Sequence, residues 1–351
     1  AILILIAGAA VVHATNKLGR IRKVKQKRQH TAEPPPKKKP DPNLWNAILL
    51  NVFWAVFGGL IIWYSLGTAD KLLPVREAAS LHGDELDRLF WITLGILTFV
   101  FIVTQSLLFF FPLKYRKRKG HKSYWYPVNY KLEITWTLIP LVTFIALFAG
   151  GMGLFNRMIA APEEGAVELE IVGQQFSWMV RYPGPDGTLG KYDYRLIDTD
   201  NKFGLNLRDQ ASFDDFVPLQ LHIPAGRQVV FKVRSRDVIH SVFLPHFRMK
   251  MDVVPGMPNR FSFTPRFTTE EMRQKLGDPD FEYELACTEL CGRGHFAMRF
   301  IVVVQEPAEY ERWYRQQQPW LADHPEYLQA IPEALQDEAL QAIQQAASIG
   351  R

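Results

Sequence analysis

The sequence predicts a membrane-anchored protein in three parts. These are an α-helical N-terminal region with three clear transmembrane helices plus a partial N-terminal one, an all-β sandwich or barrel, and a helical C-terminal tail. Two observations predict it. Leu44–Leu66, Leu89–Phe111 and Ile134–Asn156 each run 23 residues without a charged side chain. At ~1.5 Å per residue each reaches roughly 34 Å, enough for a hydrocarbon core of about 30 Å. From about residue 157 the pattern changes to short apolar runs separated by turn residues, as in β-sandwiches and barrels. The mean hydropathy of −0.08 averages these two unlike halves. At 48% hydrophobic, the 351-residue chain is too apolar to be disordered.

The membrane elements follow in order. Ala1–Val12 is an apolar run that reads as the remainder of a longer span or the start of a mature chain, and residues 1–16 are taken as a partial span. Residues 17–43 form a basic Pro/Lys linker, with ten Lys/Arg in 17–39 against Glu33 alone. Pro34–Pro40 within it is expected to be extended. The spans 44–66 and 89–156, the latter a hairpin, flank a connection over 67–88. Trp45, Trp63, Trp91 and Trp136 lie near span ends, where an aromatic belt belongs. Residues 114–122 carry six basic side chains and no acid. Basic clusters beside apolar spans indicate topology, not nucleic-acid binding. The positive-inside rule places 17–39 and 114–122 in the cytoplasm. Everything after residue 156 is then outside. That part holds 21 basic and 28 acidic side chains, a net charge of −7.

In the outer part, strands are predicted at Val167–Val172, Leu219–Ile223, Val229–Val233, Phe261–Thr264, Phe281–Ala286 and Phe300–Val304. Turn signals separate them, as at Tyr182–Gly187 and Pro224–Gly226. The β domain is assigned to 157–306 and the tail to 307–351, where Ala, Gln, Glu and Leu predict two helices broken near Pro319–Pro325.

With 2 Cys, the chain is neither a disulfide scaffold, a ferredoxin nor a four-Cys zinc module. Without a CxxCH it has no covalently attached haem. The chemistry concentrates in Ala286-Cys-Thr-Glu-Leu-Cys-Gly-Arg-Gly-His-Phe-Ala-Met298. Thiolate, imidazole and thioether donors on one loop favour copper over Mg²⁺ or Ca²⁺. A mononuclear blue site uses one Cys and two His with a weak Met. A second Cys fits either two metal ions bridged by both thiolates or a Cys287–Cys291 disulfide. A disulfide would not require His295 and Met298 in register. A second imidazole must come from His222, His240, His246 or His324.

The sequence resembles subunit II of the haem–copper cytochrome c oxidases. The resemblance rests on Cys287, Glu289, Cys291, His295 and Met298, on Asp237-Val-Ile-His-Ser241, on Lys250-Met-Asp-Val-Val-Pro-Gly256 and on Glu133-Ile-Thr-Trp-Thr-Leu-Ile-Pro140. It runs from about residue 85 to 305. The details of Phe176-Ser-Trp178, His246–Asp252 and Cys291–Phe296 look most like the oxidases of Bacteroidetes.

The resemblance implies a cupredoxin fold and a dinuclear copper centre of the CuA type. Cys287 and Cys291 would bridge, His240 and His295 would each cap one copper, Met298 would be a weak ligand, and Glu289 would give its backbone carbonyl. It also implies that the Glu289 carboxylate holds Mg²⁺ or Mn²⁺ shared with subunit I, and that Glu133 admits protons. Electrons would arrive through Phe176, standing where the family usually has Trp, or through Trp178. No haem is expected on this chain.

The implied protein is an electron-transfer subunit in a bacterial inner membrane, multi-pass, with its copper domain periplasmic. Its partners would be subunits I and III, membrane lipids, and cytochrome c or a haem c domain of a larger assembly such as alternative complex III. All the copper-ligand positions are filled, unlike in the quinol-oxidising branch. A membrane-anchored copper delivery or storage protein is the alternative of another class. A membrane-bound donor for N₂O reduction would share the copper motif but not Glu133–Pro140.

Overall fold

The computed structural model describes residues 40–72 and 77–349, so the expectations for 1–16 and for most of the basic linker lie outside the described residues. Three helices are long and apolar enough to cross a membrane: α1 (Pro42–Leu72), α2 (Gly83–Lys114) and α3 (Tyr130–Met158). All three extend past their charge-free runs. The connection expected over 67–88 is correspondingly shorter, because α1 continues to Leu72 and α2 begins at Gly83. Charged and capping residues at helix ends lengthen a span into the interface, where water satisfies them. At α3, the Asn129 side chain accepts from the Leu132 N–H at 3.2 Å, while Glu133 Oε1 accepts from the Asn129 N–H at 3.1 Å. This reciprocal cap fixes where α3 starts.

The chain divides into two compact units. The described part of the first comprises 40–59 and 106–122. In it the Asn51 amide donates to the Phe109 carbonyl at 2.8 Å, and Trp54 stacks on Phe109 at 5.1 Å. This half-buried polar bond inside an otherwise apolar contact fixes the register of the two segments.

The second unit, 60–105 and 123–351, contains the β domain. Its strands are β1 (Val167–Gln174), β2 (Ser177–Arg181), β3 (Leu221–Pro224), β4 (Val229–Ser235), β5 (His240–Leu244), β6 (Met249–Val253), β7 (Asn259–Phe263), β8 (Tyr283–Cys287) and β9 (Arg299–Gln305). They form two sheets, ordered β2-β1-β4-β7 and β3-β9-β8-β5-β6. β1–β4 and β3–β9 pair in parallel, and the other pairs are antiparallel. The core between the sheets holds Leu169, Ile171, Phe231, Val242, Phe261, Tyr283 and Leu285. The sequence did not predict β2, β5 and β6. Each is five residues long, and β5 and β6 carry His240, Ser241, Lys250 and Asp252 among their apolar positions, which hides the alternation.

Residues 77–88 seat the end of the membrane helices on this domain. Ala79 donates to the His246 carbonyl at 2.8 Å, the Ser80 hydroxyl donates to the Phe247 carbonyl at 2.7 Å, and Arg248 pairs with Asp87 at 2.7 Å. From α3, the Met158 carbonyl accepts from the Ser262 hydroxyl at 3.1 Å.

The tail forms α4 (Pro307–Arg315; the short helix Thr269–Leu276 lies earlier), a single turn at Trp320–Asp323, a 3-10 segment at Pro325–Ala330 and α5 (Glu333–Ile349). Between the two main helices the break is therefore a structured bridge. Trp320, Leu321, Ile331 and Ala339 close a second core over Val172, Phe203, Leu205 and Phe213. Removing the tail would expose that core to water.

Beneath this lobe lies a buried charge network. Glu170 accepts from Arg181 at 2.8 Å and from Arg234 at 2.6 Å, and Arg181 also donates to Asp215. Burial pushes the Asp214 carboxyl up to about 6, against the hydrogen bond it accepts from the Asp186 N–H. Its Oδ1 has no hydrogen-bond partner among the described residues. A carboxyl whose folded pKa is raised contributes stability below its unfolded pKa and loses it as pH climbs through the folded value. Ionised Asp214 therefore destabilises the lobe at neutral pH. Asp214→Asn is expected to raise the thermal midpoint of the detergent-solubilised chain by a few degrees at pH 7.5, with the gain shrinking as pH falls toward 4. An equal gain at both pH values would contradict this account.

Candidate metal centre

Strand alternation puts the first two donors in place. In β8 the side chains of Tyr283, Leu285 and Cys287 are buried while Glu284 and Ala286 are not, so Cys287 ends an inward row. In β5 the inward row is His240, Val242 and Leu244. The antiparallel register sets Val242 opposite Cys287, which leaves His240 diagonal to the thiol. His240 Nδ1 lies 3.9 Å from Cys287 Sγ.

The loop from Cys287 to Arg299 supplies the rest. It leaves β8, turns through a 3-10 segment at His295–Ala297, and is closed by the Cys287 N–H donating to the Met298 carbonyl at 3.1 Å. Cys287 Sγ donates to the Glu289 carbonyl at 3.3 Å. Cys291 Sγ lies 3.6 Å from His295 Nδ1 and 3.8 Å from Met298 Sδ. The ligand atoms of His240, Cys287 and Cys291 all lie within 4.8 Å of one another. Six donor groups singled out in the sequence thus converge: two thiols, two imidazole nitrogens, a thioether and a carbonyl. Both cysteines are free. Of the other three histidines weighed, His222 stacks on Trp313, His324 on Trp320, and His246 sits against Phe281 and Tyr283.

The donor set fits copper. It offers soft sulfur and borderline nitrogen in a cage that is almost closed to water, with Cys287, Cys291, Met298 and His240 all buried. Burial, with Cys287 alongside, pushes the Cys291 thiol up to about 11. A bound cation must displace that proton, so loading is coupled to proton release.

The aromatic candidates separate clearly. Trp178 is buried and meets the His240 ring edge-on at 5.8 Å. Phe176 is 39% exposed and lies over the metal loop. A Cβ on Gly294 would come within 2.5 Å of its Cγ, and one on Gly292 within 3.0 Å of its ring. Leu290 and Phe296 on the same loop are largely exposed, and the Glu289 side chain is exposed as well. Glu133 stands outside this centre, at the start of α3.

Sequence reasoning gave no role to Asp237, Gln175 or Gly173. Asp237 Oδ1 lies 2.8 Å from His240 Nε2, and its Oδ2 accepts from the Gln175 N–H at 2.6 Å. Burial would raise the Asp237 carboxyl, but these bonds hold it below the usual carboxylate range. A Cβ on Gly173 would sit 3.0 Å from both His240 and Trp178. The signal for Asp237 was its place three residues before His240. Nothing local marks Gly173.

Residues 167–305 match the family model described as cytochrome c oxidase subunit II, periplasmic domain, and residues 68–150 match its transmembrane domain. The alternative cytochrome c oxidase subunit 2 of Bradyrhizobium diazoefficiens is 35% identical over 246 residues, covering 70% of this chain and 83% of the relative. The cytochrome c oxidase subunit 2 of Thermostichus vulcanus is 31% identical over 297 residues, covering 76% and 85%. The crystal structure of the periplasmic domain of subunit II of cytochrome oxidase of Bradyrhizobium japonicum aligns with 22% identity and a TM-score of 0.30, over 45% of this chain and 94% of that one.

The backbone at Gly294 (φ −93°) would tolerate alanine, so only the crowding of Phe176 opposes it. Gly294→Ala is expected to displace the ring and cost about 1–3 kcal/mol, the usual range for overpacking. Phe176→Ala in the same chain should recover most of the loss. Thermal unfolding of the single and double variants checks this, and additive losses would show that the two residues do not meet.

Proposed function

Because the chain belongs to the cytochrome c oxidase subunit II family, we propose that it is the electron-transfer subunit of a terminal oxidase, passing electrons from cytochrome c to haem in subunit I, where oxygen is reduced and protons are pumped. It is a membrane-anchored protein with a periplasmic β domain, and it forms part of an oxidoreductase complex with other oxidase subunits. The observation that carries the reading is the convergence of six donor groups from one strand end and one loop. A delivery or storage protein has no need of Glu133 at a membrane helix, nor of a buried cage built from so many fixed donors.

The residues proposed to hold a dinuclear copper centre are His240, Cys287, Cys291, His295 and Met298, with the Glu289 carbonyl. Bound there, two copper ions would supply a one-electron redox centre. The chain does the rest. The strands set the sulfur and nitrogen positions, so little needs to move when the charge changes. The apolar walls exclude water. Phe176, partly exposed with its ring against Gly292 and Gly294, is the proposed electron-accepting contact. Trp178, behind His240, supports that ring. The donor is cytochrome c or a haem c domain of a larger assembly. The exposed Glu289 carboxylate is the proposed ligand for Mg²⁺ or Mn²⁺ shared with subunit I.

Glu133 is the proposed proton entrance on the cytoplasmic side. It follows the basic loop and opens a membrane helix, where a carboxyl can relay protons by changing charge. Its Oε1 also caps that helix.

Two outcomes are expected. The copper-loaded wild-type protein should be purple, with a seven-line mixed-valence EPR pattern, and Cys287→Ser or Cys291→Ser should abolish it, since a hydroxyl cannot bridge soft copper. Met298→Leu should keep copper with a changed potential. A colourless Cu(I) protein is the result expected of a storage protein. Second, Glu133→Gln keeps an acceptor for the Asn129 N–H but cannot titrate. Oxygen reduction by the assembled enzyme should slow while the copper spectrum and its reduction by the donor stay normal. Unchanged turnover would remove Glu133 as the main entrance.

A further inference from the structure

We propose that Asp237 and Gln175 are positioning residues that tie His240, the Cys291 end of the metal loop and the Phe176 ring into one body. This rests on the copper reading of the site. The geometry points to it in three steps.

The first concerns the His240 ring. A half-turn of the imidazole about its Cβ–Cγ bond would put Cδ2 and Cε1 where Nδ1 and Nε2 now stand. Here Nδ1 faces Cys287 Sγ, and Nε2 faces Asp237 Oδ1 at 2.8 Å. Only that orientation satisfies both. A carboxylate behind a metal-binding histidine fixes its tautomer and its angle. The ring has no room to tilt, since Gly173 lies against one side and Trp178 meets it edge-on.

The second concerns what holds Asp237. Its Oδ1 also accepts from the Val238 N–H at 2.7 Å, and its Oδ2 accepts from the Gln175 N–H at 2.6 Å. The carboxylate is thus fixed by two main-chain donors from two different segments before it meets the imidazole.

The third concerns Gln175. Its main-chain N–H holds Asp237, and its side-chain amide donates to the Cys291 carbonyl at 2.6 Å. One residue therefore joins the His240 side of the cage to the Cys291 side. The next residue is Phe176, whose ring lies on Gly292 and Gly294 of that same loop. Any shift of residue 175 moves the orientation of His240, the Cys291 carbonyl and the Phe176 ring together.

The test uses the assembled oxidase with Asp237→Ala, Asp237→Asn and Gln175→Ala, and three readouts: copper retained against a chelator, the EPR pattern, and the stopped-flow rate of copper reduction by cytochrome c. Asp237→Ala should release copper about 10–100-fold more readily, the usual effect of losing such a partner, with an altered EPR pattern. Asp237→Asn keeps an oxygen for the ring N–H and should restore most of the retention. Gln175→Ala leaves Asp237 in contact with His240, so it should keep its copper yet be reduced several-fold more slowly. Wild-type retention, spectrum and rate in both alanine variants would overturn the inference. So would an asparagine variant that leaks copper as fast as the alanine one. A wild-type enzyme without the mixed-valence signal would overturn the copper reading itself, which separates the two failures.

Discussion

The site depends on the pairing of β5 with β8. Setting Val242 opposite Cys287 puts His240 and Cys287 in two inward rows of the same sheet. A slip of one residue would turn every one of those side chains to the other face. His240 would then face away from Cys287, and the donor pair would be lost. The loop donors cannot rescue this, because the loop itself hangs from Cys287 and returns through Met298 to β9. Register is secured by what lies behind the site. Val242, Leu244, Tyr283 and Leu285 are fully buried in those rows, so the pairing that builds the cage is also the one that buries the apolar surface.

The periphery serves the same constraint by keeping both sheets covered. The tail closes a second core beyond β1 and the 203–213 segment, and the 77–88 segment adds main-chain hydrogen bonds near β5 and β7. The buried Glu170–Arg181–Arg234 network costs desolvation that packing alone would not. What such a network gives in return is position. Arg234 ends on the Phe203 carbonyl and stacks on Tyr192 at 4.0 Å, so it fixes the lobe against β4.

Much of this was legible in the sequence, and the reasons are physical. A charge-free run near the length of a bilayer is rarely needed in a water-soluble fold, so α1 to α3 were visible. Their ends were not, because interfacial turns tolerate charge. Strands that alternate cleanly, such as β1 and β4, were visible too. β5 was not, since His240 and Ser241, two buried polar residues at its start, spoil its apolar pattern. The cluster of sulfur and imidazole donors was legible because soft donors at fixed spacing are rare. Asp237 and Gln175 stood within or beside recognisable motifs yet had no assigned role, since carboxylates and amides have many ordinary uses. Gly173 was invisible, because the lack of a side chain matters only once His240 and Trp178 are known to crowd it.

The same geometry explains why two protonatable thiols can be kept together in a buried place. Burial resists a thiolate at Cys291, and its neighbour Cys287 resists it further. Such a pair is costly as two anions and inert as two thiols. A copper ion held by these residues would relieve the conflict by supplying positive charge beside the sulfurs. The imidazoles of His240 and His295 are each already turned with Nδ1 toward a sulfur. An electron-transfer site must hold nearly one geometry in both oxidation states, and this one is set by a β-sheet, a closed loop and a carboxylate-held imidazole, none of which changes charge with the metal. Rigidity here comes from the fold, and the partly exposed ring of Phe176 belongs to the same rigid body.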